Sequence, residues 1–223
     1  MANDKNILIF RDLEENEIEC RIAQATEKGV ALLLYKDARC DMNILDETVG
    51  AFNWKREHSR ENANCVVSIW DDGKGQWISK EDTGTESNTE AAKGLASDSF
   101  KRACFNWGIG RELYTAPFIW IPDKKCETLK KDQNGRWKCY DRFKVTGITI
   151  QDKKITGLSI YSSNKKETVF TFGTVIDYRA ELKAFIEKNK LDQAEIVTAC
   201  NLNATSSQKQ YKAALEYAKE QAR

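Results

Sequence analysis

The chain has 223 residues, 41% of them hydrophobic, which is enough to bury a sizeable core in one large domain or a domain with a small appendage. Its 35 basic and 34 acidic residues leave a net charge of +1, so a nucleic-acid surface would have to come from local clustering. The opening "MANDKNILIF" lacks the long apolar run of a signal peptide, and no stretch approaches the roughly 18 apolar residues of a membrane span. The expectation is a protein of the cytoplasm. The seven cysteines are widely spaced, with no CxxC pair, and read as reduced thiols. A zinc site is not expected, because His58 is the only histidine and no second cysteine lies near enough to make a ligand pair.

In chain order, residues 1–17 are polar and read as a flexible N-terminus. "IECRIAQA" (18–25) alternates as a strand, and "VALLLY" (30–35) follows a turn at Lys28-Gly29 as a second. "DARCDMNILDETVG" (37–50) reads as a helix with Gly50 as its C-cap. "CVVSIW" (65–70) and "QWISKED" (76–82), joined by "DDGKG", form a hairpin signal. A long helix comes next, with Ser87 and Glu90 spaced as a capping box. Its apolar arc carries Ala92, Ala96, Phe100, Ala103, Cys104 and Trp107. Gly108 stands as its left-handed C-cap, with Ile109 placed to fold back as in a Schellman motif.

After Pro122 a polar excursion turns at Asn134-Gly135. A meander follows, "FKVTGITI" (143–150), "ITGLSIY" (155–161) and "TVFTFG" (168–173). From Asp177 to the end, three short amphipathic helices suggest a separate module, with its boundary near 173–177. The fold class is therefore α+β: a curved antiparallel β-sheet of hairpin and meander packed on a long α-helix, with a small C-terminal helical segment. The division is 1–17, 18–176 and 177–223.

Several chemistries are not supported. There is no GxxxxGK[ST] phosphate loop, and the glycines of "WGIGR" follow a helix instead of opening one. A single histidine offers no obvious nucleophile–base pair, and His58 reads as a surface residue in a loop. The carboxylates of "IPDKKCETLKK" have neither the spacing nor the strand setting of a metal-dependent nuclease. What remains is a set of cations near the hairpin and helix: Lys55, Arg56, Lys80, Lys93, Lys101, Arg102 and Arg111. Cations attract phosphates without regard to sequence, and nearby aromatics stack on unpaired bases. On periodicity alone the charged helix face is equally well explained as solvated, and Trp54 and Trp107 read as structural rather than as base platforms.

The order of these elements, with "KGLASDSFKRACFNWGIGRELY" from Lys93 to Tyr114, resembles the Rad fifty-two superfamily of single-strand annealing proteins, above all its bacterial and phage branch. The resemblance covers roughly residues 18–120. It implies a protein that is not an enzyme and needs no cofactor. Such proteins assemble into rings or filaments, hold single-stranded DNA in an outer cationic groove and pair complementary strands without ATP. Implied partners are single-stranded DNA, further copies of the chain, and a phage exonuclease or host single-strand-binding protein. Carried over by position, the helix doublet falls on Lys101 and Arg102, the upstream lysine on Lys93, and the basic residue of the earlier helix near Arg39. Lys55, Arg56, Lys80 and Arg111 are added on charge and chain proximity. Lys101 and Arg102 lie about a quarter turn apart, so both need not face one groove.

Two other readings stand beside it. The C-terminal helices could form a helix-turn-helix regulator, against which their eight basic and seven acidic residues are too balanced. The protein could also coat single strands without annealing them.

Overall fold

The computed structural model describes residues 7–85, 91–203 and 206–222, with the side chains of 91–93 excepted. Strands β1 (Glu19–Thr26) and β2 (Gly29–Tyr35) form an antiparallel pair and lead into helix α1 (Ala38–Val49). Asp37 caps α1 by accepting from the amides of Arg39 and Cys40, and Gly50 closes it at φ 83°. Three strands follow, β3 (Trp54–Ser59), β4 (Asn64–Asp71) and β5 (Gln76–Thr83), then helix α2 (Ala91–Trp107) and strand β6 (Ile119–Pro122). The excursion expected after Pro122 contains a minimal ladder, β7 (Lys130–Lys131) with β8 (Trp137–Lys138). The meander is β9 (Phe143–Gln151), β10 (Lys154–Ser162) and β11 (Glu167–Gly173). Helices α3 (Tyr178–Asn189), α4 (Gln193–Ala199) and α5 (Gln208–Gln221) complete the chain. The Ser87–Glu90 capping box falls outside the described residues.

The architecture is α+β with antiparallel pairing throughout the described strands, but the strands divide between sheets. Six strands run in the order β11-β10-β9-β1-β2-β6, while β3-β4-β5 make a sheet of their own, and α2 packs on β4 and β5 of this smaller sheet. The meander joins the first hairpin through one rung, Glu19 opposite Lys144. Beyond it β1 and β9 diverge and leave an open cleft lined by Glu15, Ile18, Cys20 and Val145.

Besides the two-residue strands β7 and β8, two longer strands were not expected, each for a physical reason. In β3, "WKREHS" has no apolar alternation, yet Trp54, Arg56 and His58 all face α2. The Arg56 guanidinium lies 4.7 Å from the Phe100 ring, and His58 Nδ1 is 3.4 Å from Ser99 Oγ. Stacking and a hydrogen bond here replace the aliphatic side chains that a strand pattern needs. His58 is thus half-buried on a strand, and burial pushes its imidazole below the usual value, with Arg56 adding to the effect. In β6, four residues ending in proline are too short to register. Tertiary pairing with β2, from Gly29 opposite Pro122 to Leu32 opposite Ile119, creates the strand.

The flexible N-terminus over 1–17 is corrected where it can be seen. Phe10 and Leu13 are buried in the main core, and residues 15–17 form a 3-10 turn. Arg11 ties this segment to α1, reaching Glu17 and Glu47 each at 2.7 Å. Two buried apolar side chains and a bridging arginine offset the ordering entropy that the polar composition would otherwise leave uncompensated.

The main core joins both sheets with α1 and α2 through Val30, Leu32, Ile44, Leu45, Val67, Phe100 and Ile119. A second, separate cluster is built by α3–α5 from Leu182, Ile186, Ile196, Tyr211, Ala214, Leu215 and Ala218. The C-terminal helices therefore have a buried cluster of their own. No helix among the described residues is long and apolar enough to cross a membrane.

Candidate nucleic-acid interface

Helix α2 organises the site. Its buried face is Leu95, Ser99, Phe100, Ala103 and Cys104, a slightly rotated version of the expected arc that sinks Ser99 and leaves Ala96 half-buried. Ser99 avoids an unpaired hydroxyl by donating to the Asn62 carbonyl at 2.9 Å. Trp107 is fixed by donating its indole N–H to the Val67 carbonyl at 3.0 Å, which makes it structural.

The helix ends as a Schellman motif. The Ile109 amide donates to Cys104 O at 3.1 Å and the Gly108 amide to Phe105 O at 3.0 Å, with Gly108 at φ 99°. The second glycine of "WGIG" has another cause. Gly110 sits at φ 70°, and a Cβ there would come within 2.3 Å of Lys36 Cε. Lys36 needs that space because it is buried, ion-paired with the buried Asp41, with Nζ 4.5 Å from the centre of the Phe105 ring. Burial pushes the Asp41 carboxyl up to about 6, although the Lys36 ammonium pulls it the other way.

Three of the expected cations converge on the C-terminal half of α2. Lys80, on β5, donates from Nζ to Asn106 O at 2.9 Å and lies 4.5 Å from the centre of the Trp107 ring. Arg111 donates to Phe105 O at 2.9 Å and Asn106 O at 3.1 Å. Arg102 reaches Asp82 through Nε at 3.3 Å, and Asn106 donates to Glu81 O beside it. Cations at a helix C-terminus satisfy its free carbonyls and its dipole, which alone explains part of this arrangement. It does not use every donor. Among the described residues, neither Nη group of Arg102 nor Nη1 of Arg111 has a hydrogen-bond partner, and both side chains reach solvent. Tyr114, 68% exposed, packs against Phe105 with ring centres 4.9 Å apart and so adds an aromatic to the same end of α2. It closes the motif quoted above, which was the available signal for it.

The other expected cations disperse. Arg56 shares a rung with Val67 and Lys80, so it faces α2 from the far edge of the small sheet, stacked on Phe100. Lys101 is half-buried on the flank of α2 facing α1, where its charge acts on Asp41. Lys55 is one residue out of phase with Arg56 and points to the opposite face of the sheet, paired with Glu57 at 3.1 Å and 5.2 Å from the centre of Trp77. Arg39 is bound to Asp37 at 2.7 Å beside Glu17 and Glu19, an anionic setting unsuited to phosphate. The Lys93 side chain lies outside the described residues.

One reason given against a zinc site does not hold. Cys126 and Cys139, together with Asp141, bring their ligand-type atoms within 4.8 Å of one another at the root of the β7–β8 excursion. The carboxylate is already engaged, however. It accepts from Glu127 N at 2.7 Å, Thr128 N at 3.0 Å and Thr128 Oγ at 2.7 Å. Burial pushes the Cys126 thiol up to about 12. These are properties of a loop-organising anion with packed thiols.

Compared with protein-family models, curated proteins and solved structures, the chain matches none.

Proposed function

We propose that the protein binds single-stranded DNA along the α2–β5 edge and, as a homo-oligomer, anneals complementary strands without ATP. One observation carries the reading. Lys80, Arg102 and Arg111 meet at one end of α2, held in place by Asn106, Phe105 and Asp82, with guanidinium donors still unspent. Donors pre-positioned by internal hydrogen bonds lose little entropy on meeting a phosphate. Tyr114 offers a stacking surface beside them. The likeness of Lys93–Tyr114 to the annealing proteins supports the same conclusion independently.

The test is anisotropy of a labelled oligo(dT) over a salt series. Arg102→Ala and Arg111→Ala should each weaken binding and reduce the salt slope by about 0.7, the contribution of one single-strand phosphate. Affinity within twofold of the parent for both variants would reject this surface. Mixing labelled complementary strands with the protein, without ATP, then separates annealing from coating.

A further inference from the structure

Outside the stretch that resembles the annealing proteins, the β7–β8 hairpin carries an unexplained arrangement of charge. Lys130 and Lys138 stand directly opposite one another across a ladder only two residues long. Like charges in that position weaken a strand pair. Both are exposed, and among the described residues neither has an ion-pair partner. Residues 130–138 hold Lys130, Lys131, Arg136 and Lys138 against Asp132 alone, or 4 − 1 = +3, in a chain whose total is +1. Among the described residues Asp132 makes no ion pair with these cations; its Oδ1 is held in the turn, accepting from Asn134 N and Arg136 N, each at 2.9 Å.

The hairpin is also held firmly. The Asp132 amide donates to Arg136 O at 2.8 Å, and Gly135 closes the turn at φ 73°. At the root, Thr128 Oγ accepts from Tyr140 N at 2.7 Å while donating to Asp141. As cross-strand partners Lys130 and Lys138 share one face of the ladder, and Arg136 and Tyr140 flank the strand on either side, both exposed. Tyr140 is 63% exposed. The opposite face carries Lys131 5.4 Å from the centre of the Trp137 ring.

We infer that this hairpin is a second nucleic-acid contact, an arm that binds an unpaired strand. Its rigid cationic face matches a phosphate backbone, and an anion there removes the Lys130–Lys138 repulsion. The exposed Tyr140 ring selects an unpaired strand, since stacking requires base faces that a duplex hides. The site rests on its own residues and stands whether or not the α2–β5 edge binds DNA.

The experiment compares the full-length parent with Lys130→Gln/Lys138→Gln and Tyr140→Ala, using fluorescein-labelled oligo(dT) and a duplex of equal length. The double variant should bind oligo(dT) at least about fivefold more weakly, with a salt slope reduced by about 1.4, from roughly 0.7 per single-strand phosphate. Its thermal midpoint should equal or exceed that of the parent, because a repulsive pair has been removed; a purely structural pair would instead lower it. Tyr140→Ala should weaken oligo(dT) binding and leave the slope unchanged. Parental affinity and slope in the double variant overturn the inference, and equal losses on duplex overturn the assignment to an unpaired strand. Arg102→Ala, measured in parallel, shows which of the two sites has failed if only one variant has an effect.

Discussion

Replacing either partner of the Lys36–Asp41 pair should destabilise the protein severely, and replacing both should not. The two side chains are 1% and 0% exposed. Among the described residues, Asp41 and the Phe105 ring are the groups that answer the Lys36 charge at close range, and the Gly110 backbone closes over its stem. Lys36→Met leaves a carboxylate buried without its cation, and Asp41→Leu leaves the reverse. Each should cost about 3–5 kcal/mol, a large share of the roughly 5–15 kcal/mol that keeps a domain folded. The double Lys36→Met/Asp41→Leu should cost less than either single change, because no uncompensated charge remains. Urea unfolding followed by tryptophan fluorescence would measure all three. Single variants costing under about 1 kcal/mol would mean that water reaches the pair, and the reasoning from burial would fail.

The same carboxyl sets a pH signature. Its folded value of about 6 lies above the ordinary 3.8, so between these values the folded chain holds a proton that the unfolded chain has released. The contribution therefore favours folding at acid pH and is lost as pH rises through 6. At 1.36 kcal/mol per pH unit, the stability of the parent relative to Asp41→Asn should fall by about 2 kcal/mol between about pH 4.5 and 7.5. A difference that stays flat with pH would show that Asp41 does not titrate in that range.

Further outcomes follow from the helix end and the C-terminal module. Gly108→Ala meets no atom within 4 Å, so its cost is backbone strain at φ 99° alone, about 1–2 kcal/mol, or a melting midpoint lower by about 2–8 °C. An unchanged midpoint would contradict the left-handed C-cap. A chain ending at Ile176 should keep a cooperative transition, because α3–α5 bury their own cluster. The ion pair from α5 back to the N-terminal segment, Lys209 to Glu14 at 3.4 Å, joins half-exposed groups and contributes at most about 1 kcal/mol. Loss of near-UV circular dichroism in the truncated chain would show that the two cores depend on each other.

Local chemistry alone determined much of this protein. Period-two alternation marked β1, β4, β5 and the meander, and an apolar stripe marked α2. Gly50 and Gly108 marked helix ends, because few other residues tolerate positive φ there. Those signals are short-range, and so they can be read along the chain. Tertiary structure decided what depends on contact between distant residues. Arg56 and His58 make a strand face only because Phe100 and Ser99 lie above them. Gly110 is required by Lys36, seventy-four positions away. The candidate cations had no order in the chain either. Strand phase turned Lys55 away from Arg56, neighbouring carboxylates claimed Arg39, and the free carbonyls ending α2 gathered Lys80 and Arg111, because side-chain direction and buried charge are settled only when the elements pack.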